Sequence, residues 1–507
     1  MASTFAVTRK HLIFGLCLPL AVLLGYLLAE PYASSSLSIL VVFFAVLTIP
    51  ILMRWYQPIL MFCWSLTAAP FFLPGRMPVW IGMAFVGLFF VILNRSVDRN
   101  FRLTNVPSLT WPIVTLMAVI IATALATGGI GLRVFGSGSV GGKGYVYLIA
   151  AMVGYFVLST RPIKKESVGL VVAIFFLPGI SSGISVLANW WGGRVAEFLM
   201  YFFGDIRETG DFVADRSFTP GVTRFIGLSP AAMYIIYWLL ARFGITGVFD
   251  LTKPWRLLVF IGAIGLGCLG GFRSMLIVVI MIVVGMIYLE RMWQSRSFGV
   301  LLLGCLTIGI TLLISAEKLP LSVQRSLSFL PINISPLARY EADVSTEWRV
   351  SMWKEVSKQI PHYLLAGKGY LLSSVDLYIV EESSARGFTA SWEGAAIAGD
   401  YHSGPLSLII PFGIWGVLAF GWLLYAGTRH LYKVYRDSPP ELLLINRFLL
   451  VTFLVRFVFF FFVFGAFYQE LYVFTGILGL SVALNIQSQD EEGVAPVRRP
   501  EFDDGSQ

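Results

Sequence analysis

Three arginines and one histidine stand where charged side chains are costly. Arg224 lies in Arg224-Phe-Ile-Gly227-Leu-Ser-Pro230, Arg273 in Gly270-Gly-Phe-Arg273-Ser274, and Arg349 in Arg349-x-x-x-Trp353, each beside or within apolar sequence. Placing an arginine near hydrocarbon costs about 2.5–3.5 kcal/mol at the centre of a bilayer and less toward its edges, so such a residue has a partner or a purpose. Singly, each reads as a side chain snorkelling to headgroups, and Arg349 equally as a partner of Glu347. Several on one surface fit a site for a lipid phosphate or diphosphate, because guanidinium keeps its charge and forks onto phosphate oxygens. His402, in Gly399-Asp-Tyr-His402-Ser-Gly-Pro405, offers an imidazole base at the point where the chain re-enters apolar sequence. His362 follows Pro361 and reads as a cap or surface residue. Arg447 reaches one membrane surface, whereas Arg456, near mid-span, reads either as structural or as part of the same cavity.

The elements that must position these groups are membrane helices. Of 507 residues, 57% are hydrophobic and 13% charged, against roughly a quarter charged in soluble domains. The charges cluster between apolar runs long enough to cross a bilayer, which excludes a water-soluble globule. The runs give about fourteen candidate spans, near 11–29, 35–53, 58–74, 77–93, 109–127, 145–160, 168–187, 225–241, 257–271, 274–289, 298–316, 404–427, 442–467 and 471–486. The first, after Arg9 and Lys10, reads as a retained helix and not as a cleaved signal. Basic residues fall on alternate connections, among them Arg54, Arg95, Arg99, Arg102, Arg161, Lys164, Lys165, Arg256, Arg291, Arg429 and Arg436, while the other connections carry Arg76, Arg133, Lys143 and Arg273. Positive loops stay in the cytoplasm, so both termini are expected inside. The net charge of +8 is spread along these loops and is not the focused patch that nucleic acid needs.

The expected fold class is therefore an all-α polytopic membrane protein with about 12–14 transmembrane helices and one large, partly helical periplasmic loop. The chain divides into an N-terminal helix bundle (1–316), the loop (317–403), C-terminal helices (404–486) and an acidic, disordered cytoplasmic tail (487–507). Two outside segments, 188–224 and 317–403, are too long to be turns and are where aqueous chemistry is expected. Within the second, 345–360 reads as a helix whose apolar stripe is Arg349, Trp353, Val356 and Ile360. The pair Glu341 and Asp343 reads as solvated loop charge. The four cysteines, Cys17, Cys63, Cys268 and Cys305, lie in apolar runs, so neither a disulfide nor a thiolate metal site is expected. The apolar runs hold almost no Asp or Glu, which disfavours a proton-coupled transporter.

In order along the chain, Arg224 with Gly227, Gly271-Phe-Arg273-Ser274, Arg349-x-x-x-Trp353, Gly367-Lys-Gly369-Tyr370, and His402 followed by the Gly-Ile-x-Gly run at Gly413 to Gly416 resemble the O-antigen ligase and polymerase superfamily of bacterial envelope proteins. The resemblance covers about Arg224 to Gly416 and departs at Ser403, where that family often has Asn. It implies a glycosyltransferase of the inner membrane, taking a glycan from undecaprenyl diphosphate on the periplasmic side and joining it to an acceptor sugar, without cofactor or metal. It further implies that Arg224 and Arg273 hold the diphosphate, that His402 activates the acceptor, and that Arg349, Trp353 and Tyr401 support them. Its partners would be the lipid-linked donor, a lipid- or glycan-bound acceptor and membrane lipids. Ligase and polymerase remain open, as do a lipid-linked oligosaccharide flippase and a scaffold whose loop only binds a partner.

Overall fold

The computed structural model describes residues 34–71, 76–97, 104–131, 141–184, 192–203, 224–373 and 392–493, with a few single positions between them. The expected first span with Arg9, Lys10, His11 and Cys17, the loop residues Arg99, Arg102 and Arg133, most of the 188–224 segment, and Arg498 and Arg499 of the tail lie outside the described residues. The chain forms two compact units, residues 1–56 and 57–507, and the site belongs to the second.

The described residues are helical, with no strand among them. In order the helices are α1 (Ser34–Ser65), α2 (Val79–Val97), α3 (Pro107–Thr127), α4 (Gly142–Leu158), α5 (Val168–Phe176), α6 (Gly193–Phe202), α7 (Leu228–Val248), α8 (Trp255–Cys268), α9 (Arg273–Glu290), α10 (Arg296–Ser315), α11 (Leu321–Ser326), α12 (Pro336–Ser357), α13 (Ile360–Tyr363), α14 (Glu393–Ile397), α15 (Gly404–Arg436), α16 (Pro440–Phe462) and α17 (Phe467–Gly493). Nine helices among the described residues are long and apolar enough to cross a membrane, and α4 and α8 are shorter apolar helices. This is an all-α, multi-pass membrane protein. Helix α1 runs through the expected span 35–53 and on into the first part of the expected span 58–74, ending at Ser65, because the four residues between them are too few to reverse the chain. The last helix runs to Gly493, into the stretch read as tail.

Lipid supplies no hydrophobic drive between helices, so close packing and interhelical hydrogen bonds hold the bundle. Small residues allow the approach: the Trp64 ring lies against both Gly154 of α4 and Gly476 of α17, where any Cβ would collide with it. Asn446 of α16 and Asn485 of α17 exchange reciprocal amide hydrogen bonds of 2.9 and 3.0 Å. Phe420 packs edge-on against Phe460, Phe467 and Phe474, which ties α15 to α16 and α17. Helix α7 breaks at Gly244 (φ 66°). Glu290 at the end of α9 accepts the freed Ile245 and Thr246 N–H groups at 2.9 and 3.0 Å.

Helix α15 also breaks, at Gly413 (φ 61°), two residues after Pro411. The freed backbone is satisfied from the large segment: Lys368 and Gly369 N–H donate to the carbonyls of Ile410 and Pro411 at 2.8 and 2.9 Å, and Ile414 N–H donates to Leu364 at 2.7 Å. Tyr370 N–H donates to the Tyr145 hydroxyl at 3.0 Å, fixing this loop to α4 as well. The Gly367-Lys-Gly369-Tyr370 run and the Gly413 break are thus two halves of one joint.

Candidate functional site

The site is built on the tight turn, residues 269–272, between α8 and α9. Gly271 has φ 71°, and a Cβ there would stand 2.9 Å from Arg224 Nε, so both backbone and space require glycine. Phe225 N–H donates to the Leu269 carbonyl at 3.2 Å, bringing the entry to α7 against this turn. Arg224 is 7% exposed, and its guanidinium lies 4.6 Å from the centre of the Phe272 ring. Arg273, the first residue of α9, donates from Nη2 to the Ala342 carbonyl at 3.0 Å and to Thr346 Oγ1 at 2.9 Å. It therefore spans from the membrane helices to α12.

Helix α12 starts nine residues before the expected position 345, at Pro336, because Ser335 caps it by accepting from Leu337 N–H and proline suits a first turn. The expected stripe is on its inner side: Met352 and Val356 are buried with Tyr401, Leu406 and Ile410, and Trp353 and Ile360 pack against them. The early start also overturns the reading of Glu341 as solvated. It is fully buried, 3.9 Å from Arg325 Nε.

Arg325 is the residue that sequence reasoning missed. It is 4% exposed and donates from Nη1 to the Gly271 carbonyl. No apolar run or motif surrounds it, and only the fold of α11 against the end of α8, where Ser326 donates to the Cys268 carbonyl at 2.9 Å, delivers it to the turn.

Arg349 stands one turn beyond Thr346 on α12, with its guanidinium 5.8 Å from the Phe464 ring centre. The His402 ring lies 5.2 Å from the same Phe464 and 5.5 Å from Trp348. Arg349 and His402 therefore share one aromatic wall, supplied by the turn between α16 and α17. Trp353 Nε1 donates to the Tyr401 carbonyl at 2.8 Å, which holds the loop bearing His402 against α12. His402 has φ 49°, a conformation uncommon outside glycine that its surroundings must hold. Its Nδ1 faces Asp400 Oδ1 at 3.8 Å, too far for a hydrogen bond.

The electrostatics follow from this crowding. Burial first, then the charge of Arg273, pushes the Arg349 guanidinium down to about 10, with Asp400 opposing. Burial, Arg273 and Arg349 act the same way on Arg325, also at about 10, against the pull of Glu341. Both stay cationic at neutral pH, and the downward push is chiefly the cost of burial, with the neighbouring guanidinium groups adding to it. Arg349 makes no ion pair among the described residues. His402 is lowered by burial and by Arg349, with Asp400 pulling the other way, so it is a neutral base near pH 7. Such a group of fixed cations beside a neutral imidazole can bind a polyanion and take a proton from a neighbouring hydroxyl.

The remaining candidates fall elsewhere. His362 is exposed against Tyr363. Arg456 is engaged inside the bundle by Glu470 Oε1 at 3.3 Å and the Tyr237 hydroxyl at 3.0 Å. Glu470, at the start of α17 and 7% exposed, is thus a carboxylate within the helices where almost none was expected.

In comparison with known proteins, the family model described as O-antigen ligase matches residues 257–421. The match takes in the Gly271 turn, Arg273, Arg325, Glu341, Arg349, Trp353, Tyr401 and His402, and leaves out Arg224, Arg456 and Glu470. No curated protein matches the chain. Residues 257–421 of the chain are therefore similar to the O-antigen ligase family.

Proposed function

We propose that the chain transfers a glycan from an undecaprenyl-diphosphate-linked donor to an acceptor sugar hydroxyl at the periplasmic face of the bacterial inner membrane, in lipopolysaccharide, O-antigen or exopolysaccharide assembly. The observation that carries this reading is that Arg273, Arg325 and Arg349 act on one another electrostatically while Arg349 and His402 share the Phe464 wall. Arg224 and Arg273 would hold the diphosphate, with Arg349 supporting, and Arg325 would hold the Gly271 turn on which both depend. As the bond from the anomeric carbon to the diphosphate oxygen breaks, negative charge grows on that oxygen and the guanidinium groups stabilise it. The acceptor oxygen bonds to the anomeric carbon from the opposite face and gives its proton to His402, which inverts the anomeric centre. Nδ1 of His402 is turned toward Asp400, which leaves Nε2 for the acceptor.

Arg456, the residue that would best serve a path across the membrane, is held by Glu470 and Tyr237, and this weighs against a flippase. The test is glycan transfer by purified protein in nanodiscs from a purified lipid-linked donor. Arg273→Ala and His402→Ala proteins should insert normally and lose roughly a hundredfold or more in rate. Wild-type rates in both would end the proposal.

A further inference from the structure

Past Arg349, α12 continues to a second concavity, distinct from the arginine cluster. A cavity of about 180 Å³ is lined by Gln359, Lys368, Trp392, Glu393 and Tyr401, together with the aliphatic side chains of Val356, Ala396 and Ile397. Gln359 is ten residues beyond Arg349, about 15 Å along the helical direction at 1.5 Å per residue. The cavity is joined to the proposed catalytic base through the chain itself, because Tyr401 lines it and precedes His402.

Its walls are fixed before anything binds. Trp392 and Val356 belong to the packed cluster with Met352 and Tyr401. The carbonyl of Tyr401 is held by Trp353 Nε1 at 2.8 Å. Lys368 sits between Gly367 (φ 71°) and Gly369 (φ 66°), on the joint that closes the break in α15, with its own N–H on the Ile410 carbonyl at 2.8 Å. The lysine is therefore offered from a rigid loop, which lowers the ordering cost of binding.

The chemistry of this lining is specific. An indole, a phenol, an amide, an ammonium and a carboxylate share the walls of this open space with the aliphatic side chains of Val356, Ala396 and Ile397. A lipid chain has no use for those polar groups, and a lone phosphate has no use for Trp392 or Glu393. A pyranose ring uses both: its C–H face packs on an aromatic ring, and its hydroxyls both donate and accept. We propose that this cavity is a glycan subsite, holding one sugar ring of a chain whose reacting end lies at His402. The proposal rests on the transferase reading for why a glycan is present, but its test needs no turnover.

The experiment is saturation-transfer NMR on the full chain in nanodiscs with two lipid-free probes: the oligosaccharide released from the lipid-linked donor by mild acid, and the oligosaccharide released from the lipopolysaccharide core. The wild-type and His402→Ala proteins should both transfer saturation to one probe. Signal with the donor-derived probe assigns the subsite to the transferred glycan, and signal with the core-derived probe assigns it to the acceptor. Gln359 is exposed and its side chain caps no helix, so Gln359→Ala leaves the fold intact and should weaken binding roughly fivefold, as should Lys368→Gln. Trp392→Leu should abolish the signal. Saturation transfer to neither probe, or undiminished transfer in Gln359→Ala and Trp392→Leu, overturns the subsite. Positive binding together with full transfer activity in Arg273→Ala and His402→Ala would keep the subsite while removing the transferase reading.

Discussion

If His402 is the base, the charges facing it set where activity is lost in acid, and Asp400→Asn tests this. His402 is held low by burial and by Arg349, while Asp400 alone pulls it upward. Replacing Asp400 by Asn removes only the upward pull, so the acid limb of kcat/KM must move to lower pH. The magnitude follows from the 3.8 Å separation of Nδ1 and Oδ1. Two unit charges at that distance interact by about 1 kcal/mol in a water-like dielectric and about 4 kcal/mol at an effective dielectric of 20. Asp400 is 34% exposed and His402 19%, so the lower end applies, and about 1.4 kcal/mol corresponds to one pH unit.

A displacement of about one pH unit is therefore expected, with the plateau rate reduced several-fold because a less basic imidazole is a weaker proton acceptor. Arg349→Gln removes a downward push and must move the limb the other way, whatever it does to donor binding. The assay is initial-rate transfer from the purified lipid-linked donor across the acid and neutral range, with the acceptor held below saturation. A limb that stays in place in both variants means that another group titrates, and His402 is then not the base.

Two further substitutions test the supports of the site. Arg325→Gln removes both the cation beside buried Glu341 and the donor to the Gly271 carbonyl, and should cost about 3–5 kcal/mol, read as a lower thermal midpoint in nanodiscs. Adding Glu341→Gln should restore most of that stability but not transfer, since the Gly271 carbonyl still lacks its donor; an unchanged midpoint in the single variant refutes the pairing. Arg456→Met should lower the yield of folded protein by stranding Glu470, and adding Glu470→Leu should restore both yield and transfer. A double variant that folds normally and does not transfer would show that Arg456 acts in the reaction.

The sequence made the helices legible where apolar runs were bounded by charge, and most spans fall within a few residues of their expected ends. It misled at residues 54–57, where a single arginine between two apolar runs resembles a loop but is too short to turn in. The inner stripe of α12 was legible from its 3.6-residue spacing, but its start was not, because the first two turns are too polar to show a period. Arg224, Arg273, Arg349 and His402 were visible because each stands beside apolar sequence. Arg325 and Glu341 sit in polar sequence, and only tertiary packing buries them. The Gly367-Lys-Gly369-Tyr370 run was visible as a motif, while its physical work, donating to carbonyls freed by the break at Gly413, required the position of α15.

Two half-buried arginines in this molecule also show how a structural cation differs from one kept for a ligand. Arg456 has a carboxylate and a phenol within hydrogen-bonding distance, so its desolvation is offset inside the bundle. Arg349 is lowered to about 10 by burial and a neighbouring arginine and makes no ion pair among the described residues. Arg273 spends its Nη2 on a neutral carbonyl and a hydroxyl, and the charge of the exposed Asp343 only partly offsets the cost of its burial. Crowding like charges whose carboxylates Glu341, Asp343 and Asp400 offset them only in part lowers stability unless something else supplies negative charge, and a fold could reduce that cost by placing a carboxylate where Thr346 stands. Retaining the deficit makes physical sense if an anion of more than one charge completes the cluster, and a diphosphate entering from the lipid brings that charge on the same molecule as the sugar to be transferred.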